Sequence, residues 1–138
     1  MRVRVFAALL VFLLSSLPVV AEDARRAGIL SVIGAQLDAF QRDDAAAAFA
    51  IASPDIQAMF GSPENFLCMV AASYAPVYRP RAVTYLDLVE RDQQLVQRVL
   101  FTGPDGGQVV GLYMMARQSD GSWRIAGCVL VRPNGGSA

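Results

Sequence analysis

The residue types that most often carry acid–base and metal chemistry are missing from this chain. It has no histidine, and all twelve of its basic residues are arginine. That removes the commonest general base, the commonest metal ligand and any Schiff-base lysine. What remains for chemistry is a small set of carboxylates, tyrosines, arginines and thiols. Asp43 and Asp44 are adjacent. Neighbouring like charges can push one carboxyl pKa upward and make an acid or base. Aspartate is also among the best helix caps, and an alanine-rich run follows, so capping is the favoured role. Tyr74, Tyr78, Arg79 and Arg81 cluster around Pro76 and Pro80. Such a cluster can hold a carboxylate or phosphate through forked hydrogen bonds, or it can edge the core from a loop. Arg98 and Arg124 sit among apolar neighbours, where arginine pairs with a carboxylate or flanks an interface. Trp123 and Met114-Met115 read as packing groups. Glycine-rich phosphate loops, metal triads and nucleophile elbows are absent, so no cofactor is expected.

Charge excludes a further class. Residues 22–138 carry ten arginines against twelve acidic residues, a net charge of −2. A polyphosphate partner favours a positive surplus, so nucleic acid is not expected as a ligand.

The first 21 residues stand apart from the rest. Sixteen of them are apolar, and Arg2 and Arg4 are their only charges. A short basic stretch, an unbroken apolar run over 5–14, and Val19-Val20-Ala21 before Glu22 form the pattern of a cleaved export signal. Pro18 interrupts the run before it reaches the ~20 apolar residues of a bilayer span. The expected organisation is a signal peptide over 1–21, one domain over 22–132 and a flexible tail over 133–138. The expected location is periplasmic or secreted, with no membrane attachment after cleavage. In an oxidising compartment Cys68 and Cys128 would often pair. Their local patterns place them on outward-facing positions of different layers, so two free thiols are expected.

Helices come first in the remaining chain. Asp23 is placed to cap a helix reaching about residue 42, with Ile29, Val32, Ile33, Leu37 and Phe40 on one stripe and Gln36 away from its centre. A second helix covers 45–52. Pro54 and Gly61 frame a helical turn over 55–60, and Ser62-Pro63-Glu64 opens a helix to about residue 74. Pro76 and Pro80 end the helical half. From Arg81 the period changes to two, giving strands over 82–90, 93–102, 108–118 and 123–132. Asp105-Gly106 and Asp120-Gly121 mark hairpin turns. The fold class is therefore α+β: three to four N-terminal helices packed on a strongly bent four-stranded antiparallel sheet, cone-shaped. On the last strand Trp123, Ile125, Val129 and Val131 are expected to face the helices, with Cys128 on the other side. The strand before it is apolar on both faces. Val110, Leu112 and Met114 on its other face are expected either to line a pocket formed by the curled sheet or, as the preferred reading, to meet a second copy of the chain.

The stretches Gln36-Leu37-Asp38-Ala39-Phe40, Asp43-Asp44, Ala52-Ser53-Pro54-Asp55-Ile56-Gln57, Val77-Tyr78-Arg79-Pro80 and Asp120-Gly121-Ser122-Trp123-Arg124-Ile125-Ala126-Gly127-Cys128 carry a resemblance. The chain resembles a family of small exported bacterial proteins known only as a domain of unknown function. That family is similar in turn to the nuclear transport factor 2-like superfamily, which includes ketosteroid isomerase. The resemblance implies helices packed into a bent sheet around a conical pocket, and supplies no catalytic residues. It points to a non-catalytic protein that binds a small-molecule ligand or a partner through the cone or outer sheet face, with Tyr74, Tyr78, Arg79 and Tyr113 as binding candidates. The alternative that the resemblance to ketosteroid isomerase implies is an isomerase- or cyclase-type enzyme using a pocket carboxylate and tyrosine; Asp87 and Tyr113, on two different strands, supply those residue types without matching that enzyme's motif.

Overall fold

The structure, a computed structural model, describes residues 17–133. Five helices precede four strands: α1 (Leu17–Gln41), α2 (Ala45–Ala50), α3 (Pro54–Phe60), α4 (Pro63–Ser73), α5 (Ala75–Tyr78), β1 (Ala82–Arg91), β2 (Gln94–Thr102), β3 (Gln108–Arg117) and β4 (Trp123–Val131). The strands form one open antiparallel meander in the order β1-β2-β3-β4, which is the α+β class that the change of period implies. Most of the expected tail, from residue 134, and the first 16 residues of the expected export signal lie outside the described residues.

Local chemistry explains most boundaries. Asp44 accepts from the Ala47 amide at 3.0 Å and caps α2. Ser53 and Ser62 cap α3 and α4 with proline at the following position, where its missing N–H costs nothing. Gly61 closes α3 at φ 76°, a conformation cheap only for glycine.

Two helix expectations fail. Asp23 does not cap α1 but lies inside it. Pro18 is tolerated in a first turn and no glycine or further proline follows it before Asp23, so the helix starts upstream and runs through the proposed cleavage point. Pro76 does not end the helical half either. It occupies the first turn of α5, for the same reason that proline suits the start of α3 and α4.

Two bulges bend the sheet. One lies between Tyr85 and Leu88 on β1. The buried Gln97 of β2 holds it, donating from Nε2 to the carbonyls of Leu86 and Asp87 at 2.9 and 3.3 Å. Arg26 of α1 reaches the same Leu86 carbonyl at 3.0 Å. The other bulge is on β4, where Met114 pairs with Gly127 but Met115 pairs with Ile125, leaving Ala126 unpaired. This extra residue reverses the alternation of β4. Trp123 and Ile125 pack against the core as expected, but beyond the bulge it is Cys128 and Leu130 that do so, while Val129 is 48% exposed. The expectation that Val129 and Val131 face the helices and Cys128 faces away is therefore corrected.

The helices pack on one side of the sheet. Ile29, Ile33, Ala39 and Phe40 of α1 meet Val99, Phe101, Tyr113 and Ile125 in a common core. The link between α2 and α3 is tied to β4 by Ile125 N–H to Ile51 O and Ser53 N–H to Ile125 O, at 3.0 and 2.8 Å. Leu112, half-buried, and Val110, which is buried, lie on the opposite face, whereas Met114, also half-buried, reaches the cavity between sheet and helices. Apolar partners continue across the opposite face, Leu100 with Val110 and Val131, and Leu112 with Val129, while the β2 partner of Leu112 is the charged Arg98.

Candidate functional site

A cavity of about 260 Å³ opens between the helices and the inner face of β3 and β4. Every helix contributes to it except the alanine-rich α2, which packs behind the wall. Phe66 of α4 anchors that wall, with ring centroids 5.5 to 6.3 Å from Phe60, Phe49 and Phe40. Offset and edge-on aromatic contacts of this kind stiffen a pocket without polar atoms. Met59 lies at the margin, 73% exposed. Met69 and Met114 also line the space, and methionine adapts to irregular occupants.

Four polar side chains reach the lining. Gln36 of α1 is only 4% exposed. The Tyr74 hydroxyl donates to the Cys128 carbonyl at 2.9 Å and fastens the end of α4 to β4. Tyr113 is fully buried and its hydroxyl has no hydrogen-bond partner among the described residues. The Cys128 thiol lies beside that hydroxyl. Burial pushes it up to about 12, with the nearby tyrosine hydroxyl acting in the opposite sense. Burial likewise raises Tyr113 well above its ordinary value. Both groups are therefore neutral at physiological pH. No Asp, Glu or Arg is among the residues that line the cavity, and no cluster of potential metal ligands occurs among the described residues.

The residues expected to bind separate into two places. Tyr74 and Tyr113 belong to the cavity. Tyr78 and Arg79 form a surface cluster with Asp43. The Tyr78 hydroxyl donates to the Asp43 carboxylate, Arg79 donates to the same oxygen at 2.9 Å and to the Phe40 carbonyl, and the Arg79 guanidinium stacks 4.0 Å from the Tyr78 ring centroid. The Tyr78 hydrogen bond, followed by Arg79, lowers the Asp43 pKa. The two adjacent aspartates thus divide: Asp44 caps a helix, and Asp43 closes this cluster. Asp87 is also apart from Tyr113. It pairs with Arg98, and that hydrogen bond lowers its pKa.

Two cavity features depart from what the sequence pattern implies. Gln36, expected away from the centre of the α1 stripe, is three residues from Ile33 and four from Phe40, and that spacing puts it on the buried face. Simple alternation turns Cys128 outward, and the Ala126 bulge turns it in. Both thiols are free, Cys68 exposed on α4 and Cys128 in the cavity wall.

Fold and site together define an α+β protein whose helices and open sheet flank a half-open apolar cavity with a few neutral polar groups. Residues 22–138 match the family described as a domain of unknown function (DUF4864), and the chain belongs to that family. No curated protein and no solved structure is significantly similar to it.

Proposed function

We propose that the chain is an exported, non-catalytic protein that takes a small, neutral, largely apolar molecule into this cavity. The carrying observation is the lining itself: about 260 Å³ walled by aromatic and aliphatic side chains, with neutral polar groups and no charge. An apolar cavity of about 150 Å³ takes up benzene, so this one suits a bicyclic molecule of about ten carbon atoms. Isomerase-type chemistry is less well supported, because the cavity has a tyrosine but no carboxylate beside it. The arrangement of helices against a bent sheet is consistent with kinship to the nuclear transport factor 2-like superfamily.

Thermal unfolding with increasing tetralin, a ten-carbon bicyclic hydrocarbon, tests the reading. A ligand that binds only the folded state raises the midpoint in a saturable way. Met69→Trp, which fills the space, should abolish the rise. No rise up to the solubility limit would overturn the proposal.

Export is supported by the composition of residues 1–21 and by a family match that starts at residue 22. No described helix is long and apolar enough to cross a membrane. Intact mass of the exported protein should correspond to a chain starting at Glu22. A full-length mass in the membrane fraction would contradict this.

The outer sheet face supports a separate reading, a contact between two copies of the chain. Leu112 and Val129 are adjacent there, and Val129 is 48% exposed. A two-fold contact lets one such patch serve both chains. Light scattering across a concentration range should show dimers that Leu112→Glu dissociates. A monomer at every concentration would exclude it.

A further inference from the structure

The cavity wall holds one side chain whose polar group has no hydrogen-bond partner among the described residues. Tyr113 stands in the middle of the sheet, with Gln97 and Cys128 as its cross-strand partners, and is fully buried. Its ring has room because residue 111 is glycine. A Cβ there would lie 2.8 Å from Phe101 Cε2 and 3.3 Å from Tyr113 Cε2. A phenylalanine at 113 would fill the same volume without a hydroxyl. A buried hydroxyl with no partner is a penalty that folded proteins seldom carry without a reason. The Cys128 sulfur beside it is a weak acceptor at best.

Resting on the cavity reading above, we propose that the ligand carries an uncharged hydrogen-bond acceptor, a ketone, aldehyde or ether oxygen, and that the Tyr113 hydroxyl donates to it. Tyr113 is thereby the specificity-determining residue. It separates an oxygenated bicyclic molecule from the hydrocarbon of the same shape. A carboxylate is disfavoured, because no cation lines the cavity to offset a buried negative charge. Burial keeps the tyrosine protonated, so it remains a donor over the whole physiological range. Gln36 faces the same space and can accept from a donor on the ligand, but its amide is not the discriminating group.

The test uses two probes with one carbon skeleton, tetralin and 1-tetralone, which differ by a carbonyl oxygen. Titration calorimetry gives both affinities for the wild-type protein, Tyr113→Phe and Gln36→Leu. Tyr113→Phe should weaken 1-tetralone about two- to tenfold, the range of a single net hydrogen bond, and leave tetralin unchanged. If Tyr113→Phe alters both probes equally, or if Gln36→Leu alone carries the discrimination, this proposal is overturned while the cavity reading stands. If neither probe binds the wild-type protein, the cavity reading fails and takes this one with it. Tyr113→Phe keeps the ring and deletes an unpartnered group, so its thermal midpoint should equal or exceed that of the wild type. A readout that needs no variant is the ¹³Cζ resonance of Tyr113 in the wild-type protein. It should move with 1-tetralone and stay in place with tetralin, and the same displacement with both would again overturn the assignment.

Discussion

The surface cluster of Asp43, Tyr78 and Arg79 and the cavity group of Tyr74, Tyr113 and Cys128 both place tyrosine beside an ionisable side chain, with opposite results. On the surface every group is partnered: one carboxylate oxygen takes two donors, and the guanidinium also serves a backbone carbonyl. A saturated cluster of that kind staples α1 and α5 together and leaves little for a ligand. In the cavity the Tyr113 hydroxyl is left over, the charge is absent and space remains. Binding capacity follows from unsatisfied polar groups in a sheltered volume, not from the presence of reactive residue types.

The strongest way to break the contrast is to remove the cavity's scaffold. Phe66→Ala takes a buried ring out of contact with three other aromatic rings. It should cost about 3–5 kcal/mol in denaturant unfolding. A loss below 1 kcal/mol would mean that the wall is loosely packed. Gly111→Ala comes next. The added methyl would meet the buried Phe101 ring at 2.8 Å, and crowding of this kind costs about 1–3 kcal/mol. It should weaken 1-tetralone as well, because the Tyr113 ring must shift.

The pH response separates the two clusters further. Cys128 is raised from 9.0 to about 12 in the folded protein. A group whose folded pKa is raised contributes stability that is complete below its unfolded value and is lost as pH rises. Stability should therefore fall from about pH 9 upward, by at most about 1.4 kcal/mol per pH unit from this thiol. In Cys128→Ala the decline should start later, near pH 10, where Tyr113 begins to ionise in the unfolded chain. An unchanged alkaline limb would show that the thiol is not buried in solution. Asp43 has the opposite sign. Its pKa is lowered, so its contribution is present above the ordinary carboxylate value and disappears as pH falls through the folded one. Asp43→Asn should thus narrow the stability gap to the wild type in acid. This is the smallest effect of the four, since the cluster is exposed and solvent screens it.

Much of the scaffold was legible in the sequence. Capping serines, prolines after them, Gly61 and the change of period from Arg81 are local signals, and they set the boundaries of α3, α4 and the four strands. The apolar character of both faces of β3 was equally plain. What could not be read was any feature set by an irregularity. The Ala126 bulge decides that Cys128 points inward, and the one local hint of it is Gly127 beside it, a strand-interior glycine that fits a bulge or a close approach equally well. Asp92 and Gln93 both take left-handed backbone angles, φ 51° and 65°, in the tight turn between β1 and β2. That turn type usually announces itself by Asn-Gly or Asp-Gly. Gln36 is a different case. Its spacing was sufficient, and its polarity hid it. The cavity as a whole gathers residues from six elements, and no local pattern brings those together.

The most direct test of the central claim uses the methionines as built-in reporters. Met59, Met69 and Met114 line the cavity, whereas Met115 is 3% exposed and packed in the core behind it. In protein labelled with ¹³C at the methionine methyls, titration with 1-tetralone should shift Met69 and Met114 strongly and saturably, Met59 less, and Met115 least. Methyl resonances that do not move up to the solubility limit, or that all move alike without saturating, would contradict the account.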